Sequence, residues 1–300
     1  MSREPIAFIG AGMVGNALAF LLNQQGHPIS GIYSRNQESS ERMSNFLGTG
    51  TVYAHPADAA RTADIVFITT PDDIIGPICQ EIVAEEGFLE GAIVLHCSGA
   101  LPSSVLEVAR ESKAHIGSMH PLQSFASVTE AVASLKNATW AIEGDKRALD
   151  LMQRLVALLG GQCQPIALAN KVLYHAGAVL ASNYLVVLKH LASQLLTKSG
   201  LNEKTADQGL QTLMQGTLNN LKSIPPALAL TGPVSRGDLA TLKLHLQALE
   251  SHAPQLLPIY KKLGQHAVTL ALSGQSLSDD AARQIVNLFS DRSCLKYGHP

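Results

Sequence analysis

The chain has 300 residues, of which 46% are hydrophobic and 15% are charged, and its formal net charge is −2. These values are typical of a globular chain long enough for about two domains. The charge is close to neutral and no basic run exceeds two residues, which argues against a nucleic-acid groove.

The sequence also favours a cytoplasmic protein over a secreted or membrane protein. The apolar strand near the N-terminus is too short for a signal peptide and lacks a cleavage site. The apolar stretch Leu173–Leu191 is interrupted by His175, Asn183 and Lys189, which favours a buried helix over a membrane span.

The cysteines form no CxxC pair, which argues against a zinc site and a disulfide framework and fits a reducing compartment. They are Cys79, Cys97, Cys163 and Cys294.

The first motif is a glycine-rich turn between an apolar strand, Ile6–Ile9, and an amphipathic helix. The turn consists of Gly10, Ala11, Gly12, Met13, Val14 and Gly15. In a dinucleotide site the first glycine allows the tight turn, the second lets the backbone approach a pyrophosphate, and the third lets helix and strand pack closely. The helix N-terminus offers free N–H groups to phosphates. The alternative is a turn that only packs a helix on a sheet, but the second strand that follows favours a cofactor site.

The end of the second strand indicates which dinucleotide is bound. An NAD site usually has an acidic residue there, to hold the ribose 2′-hydroxyl. This chain has Ser34, Arg35 and Asn36, with no acid before Glu38. Because a 2′-phosphate prefers Arg and hydroxyl or amide donors, we expect NADP, with Arg35 at the adenine end and Ser34 or Asn36 on the phosphate. The alternative is that Arg35 is a solvated loop residue.

Strands and helices alternate through the first half, which predicts an α/β fold with a Rossmann-type, doubly wound parallel sheet. Further strands are expected at residues 51–53, 64–70, 92–97, 115–119, 139–143 and 162–166. Helices are expected at residues 72–86, 102–111 and 146–159.

After Pro165 the pattern becomes all-helical. Helices are expected at residues 168–198, 202–221, 239–251 and 254–272, and after 279. We therefore predict a dinucleotide-binding domain over residues 1–166 and a helical substrate and dimerisation domain over residues 167–300. The substrate is expected at the carboxyl ends of the strands, between the two domains.

Two strand ends carry candidate cofactor and substrate contacts. Thr70 and Pro71 end one strand and are expected to contact the ribose or nicotinamide, with helix capping by Asp72 or Asp73 as the alternative. Ser98 ends the next strand and is expected to bind the nicotinamide carboxamide or the substrate. The alternative there is a satisfied polar strand end.

Candidate proton donors come later in the chain. His120 follows an extended segment and is stiffened by Pro121. On the following long helix, Lys171 and His175 share one face, and Asn183 lies about 80° round from His175. We expect Lys171 or His175 to donate a proton and Asn183 to fix the substrate, with interdomain hydrogen bonding as the alternative.

One further loop, residues 232–238, holds Arg236 and Asp238 among glycine and proline. Arg236 is expected to bind a substrate carboxylate. The alternative is that Asp238 caps the next helix while Arg236 is solvated.

As a set, these motifs resemble a family of bacterial proteins that join a Rossmann-like domain to a helical domain of unknown function. The motifs are the glycine turn, Pro71-Asp72-Asp73, His96-Cys97-Ser98-Gly99, His120-Pro121-Leu122, Lys171 to Asn183, and Gly232 to Asp238. The family is similar to the 6-phosphogluconate-dehydrogenase-like group, with pyrroline-5-carboxylate reductase and prephenate dehydrogenase. The resemblance implies an NADP-dependent oxidoreductase, and a homodimer formed through the helical domain.

The expected function is hydride transfer to or from a small, anionic carbonyl or imine compound, without a metal, a nucleic acid or a membrane. The alternative is a catalytically inactive NADP-binding sensor or interaction protein. A sensor needs the glycine turn and Arg35 but no ordered polar stripe from Lys171 to Asn183.

Overall fold

The computed structural model describes residues 3–290, so Cys294 lies outside the described residues. The chain divides into two compact units, one ending at Asn183 and one beginning at Tyr184. The domain boundary expected near Ile166 stays a prediction.

The first unit is built on one eight-stranded sheet. Its strands are β1 (Ile6–Ile9), β2 (Ile29–Tyr33), β3 (Thr51–Val52), β4 (Ile65–Ile68), β5 (Ile93–His96), β6 (His115–Pro121), β7 (Thr139–Gly144) and β8 (Gln162–Pro165). The spatial order is β3-β2-β1-β4-β5-β6-β7-β8, and only the β6–β7 pair is antiparallel. This confirms the Rossmann-type sheet, since its first six strands follow the order typical of that fold.

The central strands are buried on both faces, as expected for short apolar runs in a parallel sheet. β1 and β4 pair in register from Ile6 opposite Ile65. Phe8 and Phe67 stack at 5.2 Å in the core on one face. The residues that alternate with them belong to a separate core on the other face. The sheet is therefore covered on both sides, which leaves its strand ends as the place for a site.

Helices cover the two faces of the sheet. They are α1 (Met13–Gln24), α2 (Gln37–Leu47), α3 (Pro56–Ala60), α4 (Asp72–Ala84), α5 (Val128–Leu135) and α6 (Lys146–Leu158). A further helix of this unit, α7 (Lys171–Ala181), follows β8, and Lys171 is its one buried residue. The segment Ser103–Ser112, expected to be helical, forms 3-10 turns.

The second unit is all-helical in its described part, as predicted. Its helices are α8 (Asn183–Lys198), which begins at the last residue of the first unit, α9 (Glu203–Ser223), α10 (Pro226–Ala229), α11 (Leu239–His252), α12 (Leu257–Ser273) and α13 (Asp279–Ser290). Leu242, Val268 and Ile285 are among the residues of its own hydrophobic core.

The long helix expected over residues 168–198 is interrupted. A 3-10 turn at Leu168–Asn170 precedes α7, and the helical backbone is distorted at Ser182, where φ is −112° and ψ is −70°, before α8 begins.

The expectation that this stretch is buried is wrong, because only 6% of its most apolar window is buried. By length and composition alone, Leu168–Lys198 is the single described stretch apolar enough to cross a membrane. One such stretch is weak evidence for a span. The apolar composition of a segment does not determine whether the same chain buries it.

Candidate active site and cofactor cleft

The glycine turn is fixed against the end of β4. Gly10 has φ +117°, and a Cβ there would lie 2.7 Å from the carbonyl carbon of Thr69. A Cβ on Gly15 would lie 2.5 Å from the Thr69 hydroxyl oxygen and 2.7 Å from the Gly10 carbonyl oxygen. The same hydroxyl donates a hydrogen bond to that carbonyl at 2.7 Å. Gly12 differs, because its Cβ would meet only the Thr69 carbonyl oxygen, at 3.8 Å. Two glycines are therefore required by packing, and one faces open space.

The N-terminus of α1 is open to a ligand. Gly12 is its N-cap, and no described side chain caps the first turn, which also contains no acidic residue. Met13 is exposed and Val14 is half-buried in the same turn. The positive end of the helix dipole and its free N–H groups are therefore available to an anion.

A cleft of about 290 Å³ runs along the carboxyl ends of β1, β2 and β4. It is lined by Gly10, Ala11, Gly12, Tyr33, Ser34, Arg35, Asn36, Ser39, Thr69, Thr70, Pro71, Ile74 and Ile78. The cleft lies where the strand order reverses, the position at which open α/β sheets bind ligands.

Several polar groups of this cleft suit a dinucleotide. The Thr70 hydroxyl oxygen is buried and has no hydrogen-bond partner within residues 3–290. The Arg35 side chain is exposed at the rim. The side-chain oxygen Oδ1 of Asn36 caps α2 by accepting from the Glu38 N–H at 3.0 Å, which leaves the side-chain N–H groups of Asn36 for a ligand. An open helix N-terminus, an unpaired hydroxyl and a cationic rim together fit a nicotinamide dinucleotide.

His96 and Ser98 organise the loop after β5. The Ser98 N–H donates to His96 Nδ1 at 3.1 Å, so His96 Nε2 carries the proton and donates to the Pro102 carbonyl at 3.3 Å. Burial, together with the charge of Lys171, lowers the pKa of His96 to about 3, so its ring is neutral at neutral pH. The Ser98 hydroxyl donates to Asp72 at 2.8 Å and also accepts backbone N–H groups of its own loop. Both side chains therefore fix the loop that presents Gly99.

Lys171 belongs to a buried ion pair. Its side chain is 2% exposed, and its Nζ donates to the Ser118 hydroxyl and, at 3.2 Å, to the Glu143 carboxylate. Ser118 and Glu143 face each other across the β6–β7 pair. Glu143 also accepts the Ser103 N–H at 2.7 Å and the Ser103 hydroxyl at 2.6 Å. Burial lowers the pKa of Lys171, and the carboxylate of Glu143 opposes that shift. The ammonium is thus held by structural partners.

Two histidines converge on Gly99. A Cβ on Gly99 would lie 2.5 Å from His175 Nδ1 and 2.8 Å from His120 Nε2. The two imidazole rings meet edge to face, with centroids 5.8 Å apart. His120 Nδ1 lies 2.9 Å from the Tyr174 hydroxyl, whereas His175 Nδ1 is buried without a hydrogen-bond partner in the described part of the chain. Burial, with the nearby His175 and Lys171, lowers the pKa of His120 to about 4. His120 is therefore neutral at neutral pH, and both imidazole rings lie beside a residue with no side chain.

The structure thus brings His120, Lys171 and His175 together in the first unit. Asn183, on the same stretch of chain, has an exposed side chain.

Arg236 and Asp238 lie in the second unit, where Arg236 is exposed. Asp238 caps α11, accepting the Thr241 N–H at 3.0 Å and the Thr241 hydroxyl at 2.7 Å, as the alternative interpretation expected. Substrate binding by these two residues stays a prediction.

Sequence reasoning gave no role to Tyr174 or Glu143, whereas it did place Gly99 at the strand end as a residue that allows close approach. Tyr174 is three residues after Lys171, so helical spacing already places the two on one face. Nothing in the sequence marks Glu143, because its role depends on which strands pair.

Comparisons with known proteins agree with this architecture. Residues 1–121 match the Rossmann-like domain family, and residues 138–267 match the family described as domain of unknown function DUF2520. Protein TM1727 from Thermotoga maritima is 26% identical, with a TM-score of 0.72 over 90% of this chain and 99% of that one. The "putative NADP oxidoreductase BF3122" from Bacteroides fragilis is 25% identical, with a TM-score of 0.71 over 89% and 98% of the two chains.

A curated relative adds an activity class. The "uncharacterized oxidoreductase YkwC" of Bacillus subtilis is 24% identical over 73% of this chain and 76% of its own length. The chain therefore combines a Rossmann-like domain with a DUF2520 domain and is similar to oxidoreductases.

Proposed function

We propose that this protein is an NADP-dependent oxidoreductase that transfers a hydride to or from a small, anionic carbonyl or imine substrate. One observation carries the proposal. The carboxyl edge of a single sheet holds both an open helix N-terminus beside Gly12 and two converging imidazoles beside Gly99. A dinucleotide and a proton-handling pair at one edge are what hydride-transfer chemistry requires of a protein.

The cofactor preference rests on the end of β2. Bound there, the nicotinamide would supply or accept the hydride. The N–H groups of the α1 N-terminus would hold the pyrophosphate, and the Thr70 hydroxyl would gain a partner. Ser34, Arg35 and Asn36 would hold a 2′-phosphate, since a guanidinium pairs well with phosphate and no carboxylate repels it there. The similarity to BF3122 supports the same cofactor.

The substrate's reacting oxygen or nitrogen would lie beside Gly99. His120 and His175 would hydrogen-bond it and move the proton, and Lys171 would support them through the ion pair with Glu143. Arg236 would hold a substrate carboxylate. Asn183 and Asp238 would be further substrate contacts, Asp238 in addition to its role as the cap of α11.

We further propose that the protein is a cytoplasmic homodimer formed through its helical domain. Exposed apolar side chains support the dimer. Leu173 is 75% exposed, Val186 is 69% exposed and Leu213 is 66% exposed. Apolar surfaces of this kind mark interaction sites in soluble proteins. A second copy of the chain is the simplest partner, because most oligomers are homo-oligomers.

Cofactor titration tests the first part of the proposal. We expect NADPH to bind more tightly than NADH, and Arg35→Ala to raise the Kd for NADPH about 10-fold to 100-fold, since a charged hydrogen bond contributes about 1.5–3 kcal/mol. Arg42→Ala is the matched control, because Arg42 is exposed and its side-chain partners among residues 3–290 are Glu38 and Ser39 of the same helix. Equal affinity of the wild type for both cofactors would contradict the NADP assignment.

Turnover tests the second part. NADPH oxidation should be measured against a panel of small oxo-acids and cyclic imines, with Arg236→Ala expected to raise KM for the anionic members only. Arg283→Ala, at an exposed arginine of the second unit, is the control. A protein that binds NADPH tightly and oxidises it with no member of the panel would favour the sensor alternative.

A further inference from the structure

We propose that Tyr174 is a positioning residue that holds His120 as the tautomer with its proton on Nε2, so that a neutral N–H group lies beside Gly99 and His175. The inference deepens the proposed function and rests on it for the reaction concerned. The tautomer itself can be tested without any turnover.

The contact between Tyr174 and His120 has one favoured polarity. The hydroxyl oxygen lies 2.9 Å from Nδ1, and the rings meet at 84°. An unprotonated imidazole nitrogen is a stronger acceptor than a phenol oxygen, so the phenol donates and Nδ1 accepts. Burial raises the pKa of Tyr174 to about 12, which keeps the donor protonated at neutral pH. With Nδ1 accepting, the ring proton of His120 must be on Nε2.

The protonated nitrogen lies beside Gly99 and close to His175. His120 Nε2 and His175 Nδ1 both lie within 2.8 Å of the point that a Cβ on Gly99 would occupy, so both rings pack against the backbone of this residue. The absence of a side chain at Gly99 therefore brings the two nitrogens into one neighbourhood. His175 Nδ1 is buried and has no partner among residues 3–290, and a buried polar atom of this kind is costly unless a ligand completes it. The arrangement suits a substrate oxygen that accepts from His120.

The phenol also completes the proton balance. Because the His120 ring is neutral at neutral pH, it can release its Nε2 proton only if Nδ1 gains one at the same time. If a bound nicotinamide supplied the hydride, the oxygen of the reduced carbonyl group would be negative and would take the Nε2 proton. The phenolic proton would then move to Nδ1, and the half-buried tyrosinate would regain a proton from water, leaving hydroxide in the solvent. One O–H bond forms on the substrate, and water supplies the net proton.

Nitrogen NMR of the full-length, ¹⁵N-histidine-labelled protein saturated with NADP⁺ tests the tautomer, with His120→Gln used for assignment. In the wild type we expect Nδ1 of His120 to resonate as an unprotonated acceptor and Nε2 as a protonated nitrogen. In Tyr174→Phe the two resonances should shift toward each other, because both tautomers become populated. Tyr53→Phe, at a tyrosine packed against the core on the other face of the sheet, should leave the pattern unchanged.

Two results would overturn the inference: protonated Nδ1 in the wild type, or a Tyr174→Phe spectrum identical to the wild type. Kinetics then separate it from the proposed function. With a substrate found by the oxo-acid and imine panel, Tyr174→Phe should lower kcat about 100-fold with little change in KM. If no compound is turned over, the proposed function fails while the NMR result stands. If a compound is turned over and kcat is unchanged in Tyr174→Phe, the proton path through Tyr174 is wrong.

Discussion

At the residue scale, position on a helix face does not decide what a polar side chain does. Lys171 and His175 lie on the same face of α7, yet the ammonium of Lys171 is bound to Ser118 and Glu143, whereas Nδ1 of His175 has no partner in the described residues. Because catalytic groups must be free to meet a substrate, the second environment is the one that fits chemistry. The environment of Lys171 fits a side chain that stabilises the fold.

Replacing Lys171 distinguishes these roles. We expect Lys171→Met to lower the free energy of unfolding of the first unit by about 3–5 kcal/mol, because it leaves the buried carboxylate of Glu143 without its partner. Urea denaturation followed by fluorescence of Trp140, the only tryptophan and a buried residue of the same unit, measures this change.

A double variant and a surface control complete the experiment. Lys171→Met combined with Glu143→Gln should recover part of the loss, since the uncompensated charge is removed. Lys113→Met breaks an exposed pair with Glu90 and should cost less than about 1 kcal/mol. Unchanged stability of Lys171→Met together with loss of NADPH oxidation would instead make Lys171 a proton donor.

The same scale shows the limit of the sequence for the site. His120 and His175 could be proposed from local spacing and strand ends. The partners of the polar side chains could not be predicted. His120 contacts Tyr174, which is 54 residues away in the sequence, and Lys171 contacts Glu143, which is 28 residues away. Such contacts follow from strand pairing and helix docking, which no local pattern specifies.

At the element scale, the β1–turn–α1 unit could be predicted because its determinants are local. A short apolar strand, glycines at fixed spacing and an apolar helical stripe are all present within residues 6–24. The antiparallel direction of β7 could not be predicted, since strand direction depends on the path of the connection and not on composition. The distortion at Ser182 could not be predicted either, because the apolar helical pattern continues through the residues on both sides of it.

The three glycines of this turn should respond differently to substitution, and Gly12 and Gly15 form the clearest pair. Gly15→Ala should lower the free energy of unfolding by about 1–3 kcal/mol, because its Cβ would meet Thr69 and the Gly10 carbonyl, a backbone atom that cannot easily move. Gly12→Ala should change it by less than about 1 kcal/mol, because its Cβ meets open space and only the helix cap is altered.

Binding of NADPH should show the complementary result. Gly12→Ala places a methyl group where the pyrophosphate is expected to approach, so its Kd for NADPH should rise although the fold is retained. Urea denaturation and fluorescence titration of the two variants give both quantities. A Gly12→Ala protein that binds NADPH like the wild type would place the dinucleotide elsewhere.

At the scale of the whole molecule, the main discrepancy between sequence and structure concerns burial. The apolar residues from Leu173 to Leu191 have the composition of a core helix, but the side chains of Leu173, Val186 and Val187 are exposed in the single chain. Composition reports that a surface is apolar and cannot report whether it is covered by the same chain, a second copy or lipid. A measurement of the oligomeric state is needed to decide what covers this surface.

Light scattering coupled to size-exclusion chromatography tests the proposed homodimer. We expect the wild type to have twice the mass of one chain, and Val186→Glu to be monomeric, because a charge at a fully covered apolar position of an interface is strongly unfavourable. Gln153→Glu adds the same charge on the exposed side of α6 and should remain dimeric. The monomeric variant should keep its helical circular dichroism, because Val186 is 69% exposed in the single chain and contributes little to its core. A wild type that is monomeric at all concentrations, or that floats with lipid vesicles unless Val186 is replaced, would assign this apolar surface to another partner.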